Sequence, residues 1–410
     1  MTLLPTYQPV ASAADEGNQK TNPTSADPHG NKTDNNQGRF VFLDGFRGLC
    51  ALSVVLSHSA MNCGFGGDYG AALVAVPGFF VLSSFLIVYQ LLKLLHQGTV
   101  RHRRDLKPFL LIYACKRFFR IYPLFFLVTS LFYIFPKYSN DCGEYIRVVA
   151  LLYSGNCVLW TIRPEVYNYI WMPFFALSIH FSKWSILGWM AFFAYAETHW
   201  TRLRRFASTT EEWSSLIVQG WTTGFMAGGF LAVTYFYLSP IYCSASRTAV
   251  KKLKTLVGSN ADRILLTVKL IYEGIIGICV MQFIRYVFLR YNPAVEIFQD
   301  FHNNSAFAMA CILFLMLFVK DDGMSTWLFR TPLLCFLGKI SYSYYLSHTL
   351  VIRYLVVEVY PGWSSWEALL FYASVSAVVA TASFYLIEQP LMRLGGRICS
   401  RIQKKYAEAE

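Results

Sequence analysis

The chain has 410 residues, of which only 15% are charged while 55% are hydrophobic and 17% aromatic, with a mean hydropathy of +0.38. Soluble globular chains carry roughly 25% charged residues; here the apolar residues come in runs of about twenty, the length that crosses a hydrocarbon core of roughly 30 Å, so a soluble fold is excluded. The formal charge of +12 sits in short basic clusters between apolar runs, which argues against a nucleic-acid partner and leaves two readings: cytosolic loops, or a site for an anionic substrate.

Residues 1–38 are rich in Asn, Thr, Ser, Asp, Gly and Pro, with almost no large apolar side chains. That is the composition of a disordered tail, and it lacks the basic segment and apolar core of a cleavable signal. From Phe40 onward the runs predict an all-α, polytopic membrane domain over 39–393, followed by a basic cytosolic tail over 394–410. Ten transmembrane helices are expected, at 40–60, 71–95, 109–135, 165–181, 184–198, 215–238, 264–289, 304–319, 333–356 and 366–387. The apolar run 145–160 is an eleventh candidate. Treating it as peripheral puts Arg101 to Lys107, Arg247 to Arg263 and Arg393 to Lys405 all inside, with both termini cytosolic, and leaves only Arg202, Arg204 and Arg205 against the positive-inside rule. Trp184, Trp189, Trp213 and Trp221 lie near run ends, as in interfacial belts. Ten cysteines are scattered without CxxC or Cys/His metal spacing; Cys63 and Cys142 fall in loops on one side and are candidates to pair.

Ionisable residues inside spans are costly, so each is a candidate functional group. The first span carries Asp44, Arg47 and His58. Arg47 and His58 are eleven residues apart, which leaves them within roughly 20° of one helix face and ~16 Å apart along the axis. Asp44 is one turn from Arg47 and placed to pair with it. Further on, Arg101, Arg103, Arg104 and Lys107 precede Lys116, Arg117 and Arg120. Arg117 and Arg120 share a face at i,i+3; two forked guanidiniums suit a phosphate or pyrophosphate, and anionic lipid headgroups are the alternative. Glu165 opens a span after Pro164, where an acid is also favoured by the helix dipole. A second histidine, His348, lies inside the ninth span, and Glu388-Gln389-Pro390 closes the tenth.

In this order the elements resemble membrane acyltransferase family 3 over roughly residues 40–393. The family's first-helix Arg and His, ten residues between them, are matched by Arg47 and His58, and its Arg-x-x-Arg by Arg117 and Arg120. Gly78 to Ser83, Trp160 to Glu165, Ser341 to His348 and Glu388 to Pro390 match four further patterns. Ser84 stands where the family usually has glycine, and Arg163-Pro164 precedes Glu165 where many members have apolar or small residues. The resemblance implies a donor, acetyl-CoA or another acyl-CoA, taken from the cytosol with no permanently bound cofactor. Arg117, Arg120, Lys116 and Arg104 are then expected to hold the CoA phosphates. His58 is expected as general base on an acceptor hydroxyl, with Arg47 at the donor or its carbonyl oxygen. Asp44, Glu165 and His348 are expected to hold Arg47 or the acceptor. The competing class is a transporter or flippase without chemistry, which also buries Arg, His and Glu; the inverted repeats that such proteins often show are not visible here.

Overall fold

The computed structural model describes residues 40–63, 70–134, 142–153, 157–195, 222–290, 298–319, 322–352, 354 and 365–408. Among the described residues there are helices and turns and no strand. The tail expected over 1–38 and the cluster Arg202 to Arg205 lie outside them. In chain order the helices are α1 (Val41–Asn62), α2 (Gly70–His96), α3 (Arg103–Ile134), α4 (Cys142–Val149), α5 (Ile162–Phe181) and α6 (Ser185–Tyr195). Then follow α7 (Thr222–Val257), α8 (Ala261–Arg290), α9 (Phe298–Val319), α10 (Met324–Trp327), α11 (Pro332–Lys339), α12 (Ser341–Val351), α13 (Ser365–Ser383) and α14 (Gln389–Ala407). A 3₁₀ turn, Cys157–Thr161, precedes α5, and a π-helical turn, Phe384–Glu388, joins α13 to α14.

Among the described residues six helices are long and apolar enough to cross a membrane: Val41–Met61, Val74–His96, Arg103–Ile134, Thr222–Val257, Ala261–Val287 and Trp366–Ala407. Four of the ten expected spans are helical but differ in kind. α5 is interrupted by Arg163, Glu165, Asn168 and His180. The segments Ser185–Tyr195 and Asn304–Val319 are shorter. The expected span 333–356 is broken at Ile340 into α11 and α12. Among the described residues the stretch 145–160 holds no helix long enough to span: α4 has eight residues, a rise of ~12 Å. Cys63 and Cys142 do not pair; both thiols are free.

α2 is the hub and packs on α1, α5, α7 and α9. Its Val81, Phe85, Val88 and Leu92 recur at helical spacing and are buried. Within a bilayer there is no hydrophobic drive between helices, so close van der Waals packing carries association and small residues mark the contacts. A Cβ on Gly228 of α7 would strike the Val81 carbonyl of α2. Ser84 of α2 faces Gly229 of α7, where a Cβ would meet its Oγ at 3.5 Å, an ordinary contact.

The second close contact is between α1 and α11 together with the 3₁₀ turn Leu328–Arg330 that leads into it. A Cβ on Gly45 or Gly48 would collide with the carbonyls of Phe329 and Leu334, and one on Gly338 with the carbonyl of Asp44. The two backbones touch there, which fixes the rotation of α1 and hence the direction of Arg47 and His58. α8 leaves Leu266, Leu270, Ile271, Ile278 and Met281 exposed, an apolar face suited to a bilayer.

Candidate active site

A cavity of about 320 Å³ lies between α1, α2, α3, α5 and α12. Arg47 of α1 and Arg117 and Arg120 of α3 enter it, together with Glu165 and Tyr169 of α5. Each guanidinium has a defined neighbour. Arg47 Nη1 is 4.0 Å from Asp44 Oδ1, one turn back on α1. Arg120 Nη1 is 3.2 Å from Glu388 Oε1. Arg117 lies over the rings of Tyr113 and Tyr169, 5.8 Å from each centroid. The Tyr169 hydroxyl donates to Glu165 Oε1, and the Tyr113 hydroxyl donates to the Tyr169 carbonyl at 2.9 Å.

Glu388 reaches Arg120 from the end of the π-helical turn. Its side chain is 1% exposed, and Ser343 Oγ donates to Oε2 at 2.6 Å. The wider pitch of a π turn re-aims the side chains beyond it. Tyr342 donates to the Ile121 carbonyl at 2.7 Å and so ties α12 to α3. Because the ninth apolar run breaks at Ile340, the first residues of α12, Ser341 and Tyr342, face the cavity. The positive end of that helix adds to the attraction the arginines exert on an anion.

A second cavity, about 770 Å³, adjoins the first through Ile87, Gln90 and Arg117, which line both. Arg103, Arg104, Lys107 and Lys116 stand around it with Asp105 as the acid. Asp105 Oδ2 accepts from the backbone N–H groups of Arg101 and His102 at 2.8 Å, which folds the loop onto the first turn of α3. The pair of cavities is a cation-rich vestibule leading into a narrower, arginine-lined chamber.

His58 and His348 form a separate pair. His348 Nε2 is 3.2 Å from His58 Nδ1. His348 Nδ1 is 2.7 Å from the Tyr345 carbonyl, and His58 Nδ1 is 3.0 Å from the Val54 carbonyl. A carbonyl only accepts, so both Nδ1 atoms carry the proton when the rings are neutral. His348 Nε2 then accepts from His58 Nδ1–H, and the lone pair of His58 is on Nε2, the tautomer of a base held from behind. His348 is fully buried and His58 partly so. Tyr345, one turn before His348 on α12, lines the chamber.

The expected residues therefore fall into three groups. Arg47, Arg117, Arg120 and Glu165 converge on the chamber; Lys116 and Arg104 stand in the vestibule; His348 meets His58 and not Arg47. Asp44 stays beside Arg47. Sequence reasoning assigned no role to Glu388 or Tyr169. Tyr169 is one helical turn after Glu165, a spacing that offered a signal; Glu388 meets Arg120 across 268 positions (388 − 120), and no local pattern reports that. The Arg163 that departs from the resembled pattern is buried, with its guanidinium 5.7 Å from the Tyr167 ring centroid. Among the described residues no group of three or more His, Cys, Asp or Glu is placed to hold a metal.

A family model described as an acyltransferase domain, acyltransferase 3, matches residues 40–388. A stretch of 93 residues is 38% identical to "Protein 2 in picA locus" of Rhizobium radiobacter, and it covers 23% of this chain and 44% of that protein. No solved structure matches. The family match takes in every chamber residue and both histidines, and with six helices fit to cross a bilayer it makes the chain a multi-pass membrane protein of the acyltransferase 3 family.

Proposed function

We propose that the protein transfers an acyl group, foremost acetyl, from cytosolic acyl-CoA to a hydroxyl of a glycan, lipid or small metabolite. One observation carries the donor half: a vestibule of basic residues leads into a chamber that presents three guanidiniums. CoA is a polyanion with a long neutral arm, and forked guanidiniums suit its phosphates. In this reading the vestibule end of the bundle is cytosolic.

Arg47 belongs with these anchoring cations. Eleven residues separate it from His58, ~16 Å of helix rise, too far for both to meet one carbonyl group. The extended pantetheine arm covers that gap. Arg117 and Arg120 hold the pyrophosphate, Arg47 steadies the arm's start, and the thioester passes Tyr345 to reach His58. Glu165 and Glu388 keep the arginines aimed and partly neutralise them when the donor is absent.

His58 Nε2 takes the proton of the acceptor hydroxyl, and the oxygen attacks the thioester carbonyl. The C–S bond breaks, and the sulfur leaves with the proton returned from His58. His348 holds the ring of His58 in the tautomer that makes Nε2 basic, as a buried orienting group does in hydrolytic triads.

Calorimetric titration of acetyl-CoA into detergent-purified protein tests the donor half. Wild type and His58→Ala are expected to bind; the Arg117→Ala/Arg120→Ala double variant is expected to lose binding by at least tenfold, the order of a lost charge-assisted pair. Absence of binding by folded, monodisperse wild type would end the acyl-CoA reading. Membranes containing His58→Ala should also fail to incorporate labelled acetyl groups, and incorporation at the wild-type rate would remove His58 as the base.

A further inference from the structure

The family match ends at Glu388, yet part of the vestibule wall is built from residues beyond it. Gln403 and Tyr406 of α14 line that cavity. α14 is docked, not trailing: it runs antiparallel to α3, with the Cys115 thiol 3.8 Å from the Gly395 carbonyl and the Cys399 thiol 3.7 Å from the Ile112 carbonyl. Gly395 permits the approach, since a Cβ there would press on the Phe119 ring. Its basic residues Arg393, Arg397, Arg401 and Lys404 are exposed, while Gly395 and Cys399 are buried.

That antiparallel register sets the last turn of α14 opposite the first turns of α3. One wall of the vestibule is therefore cationic, with Arg103, Arg104 and Lys107, and the other offers a phenol ring and a carboxamide, Tyr406 and Gln403. Cations alone accept any anion. A ring and an amide facing them add what a phosphorylated nucleoside needs: a stacking platform for the base, a partner for its edge, and charge for its phosphates.

We propose that α14 is the nucleotide-reading wall of the donor site, with Tyr406 stacking on the adenine of CoA, Gln403 meeting the base edge, and Arg103, Arg104 and Lys107 holding the 3′-phosphate. This rests on the acyl-CoA reading given above. The helix that follows the matched domain then selects the donor by its head group, and the chamber holds its pyrophosphate and arm.

The test titrates CoA and adenosine 3′,5′-bisphosphate into purified wild type, Tyr406→Ala and Tyr406→Phe. Wild type is expected to bind both, and Tyr406→Ala to weaken both by about tenfold, the order of one base–aromatic stack. Tyr406→Phe keeps the ring and is expected to retain wild-type affinity, which separates stacking from a folding defect. Equal affinity of Tyr406→Ala and wild type for the bisphosphate overturns the proposal, as does a wild type that binds CoA but not the bisphosphate. A wild type that binds neither ligand overturns the donor reading itself.

Discussion

The ring of His348 is held on one edge by the Tyr345 carbonyl and on the other by His58. In the proposed mechanism a group so enclosed acts through His58 and not on the substrate. Replacing it with alanine frees the neighbouring imidazole to rotate and exchange tautomers. We expect His348→Ala to lower labelled-acetyl incorporation by about a hundredfold, the low end of what one positioned acid–base group supplies, with acetyl-CoA affinity retained. A parallel loss of affinity would mean that the residue supports the bundle and not the base. Glu388 makes the opposite kind of contribution. It is buried against Arg120, and removing one member of a buried ion pair costs about 3–5 kcal/mol because the other is left uncompensated; Arg120 is partly exposed, so the lower end applies. Glu388→Ala should therefore lower thermal stability in detergent and weaken acetyl-CoA binding together. Arg47, His58, Arg117 and Arg120 could be picked out from sequence because charge in an apolar run is conspicuous. Glu388 could not be given a role, because its meaning depends on a helix hundreds of residues away.

Backbone contact between α1 and α11 depends on Gly45, Gly48 and Gly338, and it tolerates no side chain. Gly48→Ala would force the helices apart at the turn that carries Arg47. Overpacking of this kind costs about 1–3 kcal/mol, so we expect a clear fall in the thermal unfolding midpoint in detergent; an unchanged midpoint would show that the contact is looser than described. The ends of the helices were the harder features to read. Expected boundaries at 40–60 and 71–95 agree closely with α1 and α2. The run 333–356 reads as one span despite the polar groups from Lys339 to His348 inside it; the structure breaks it at Ile340, where α11 packs against α1. Hydropathy also cannot see that α13 continues through the π turn into α14, a helix of 42 residues from Trp366 to Ala407 and ~63 Å long, twice what a hydrocarbon core needs.

Three helices run on together at one end of the molecule, each longer than the ~20 residues a hydrocarbon core needs. α7 passes alongside α2, with Tyr235 against Tyr89 and Phe236 against His96, then runs on to Val257. The start of α3 and the end of α14 do the same. Cysteines introduced at Gly258 and Lys404 should react with a membrane-impermeant maleimide from one side, in a background lacking the native exposed thiols Cys311 and Cys142, the latter at the far end of α3. Cys142, restored alone, should react from the other side. Labelling of Gly258→Cys and Lys404→Cys from opposite sides would refute the shared orientation. The separation between the arginine chamber and the histidine pair has one more consequence, for the choice of donor. A compact activated acid such as acetyl phosphate satisfies the guanidiniums but leaves its acyl carbon the better part of a membrane leaflet away from His58. On the proposed mechanism the bundle would act as a ruler, selecting donors by reach: acetyl phosphate is then expected to support no labelled-acetyl incorporation where acetyl-CoA does.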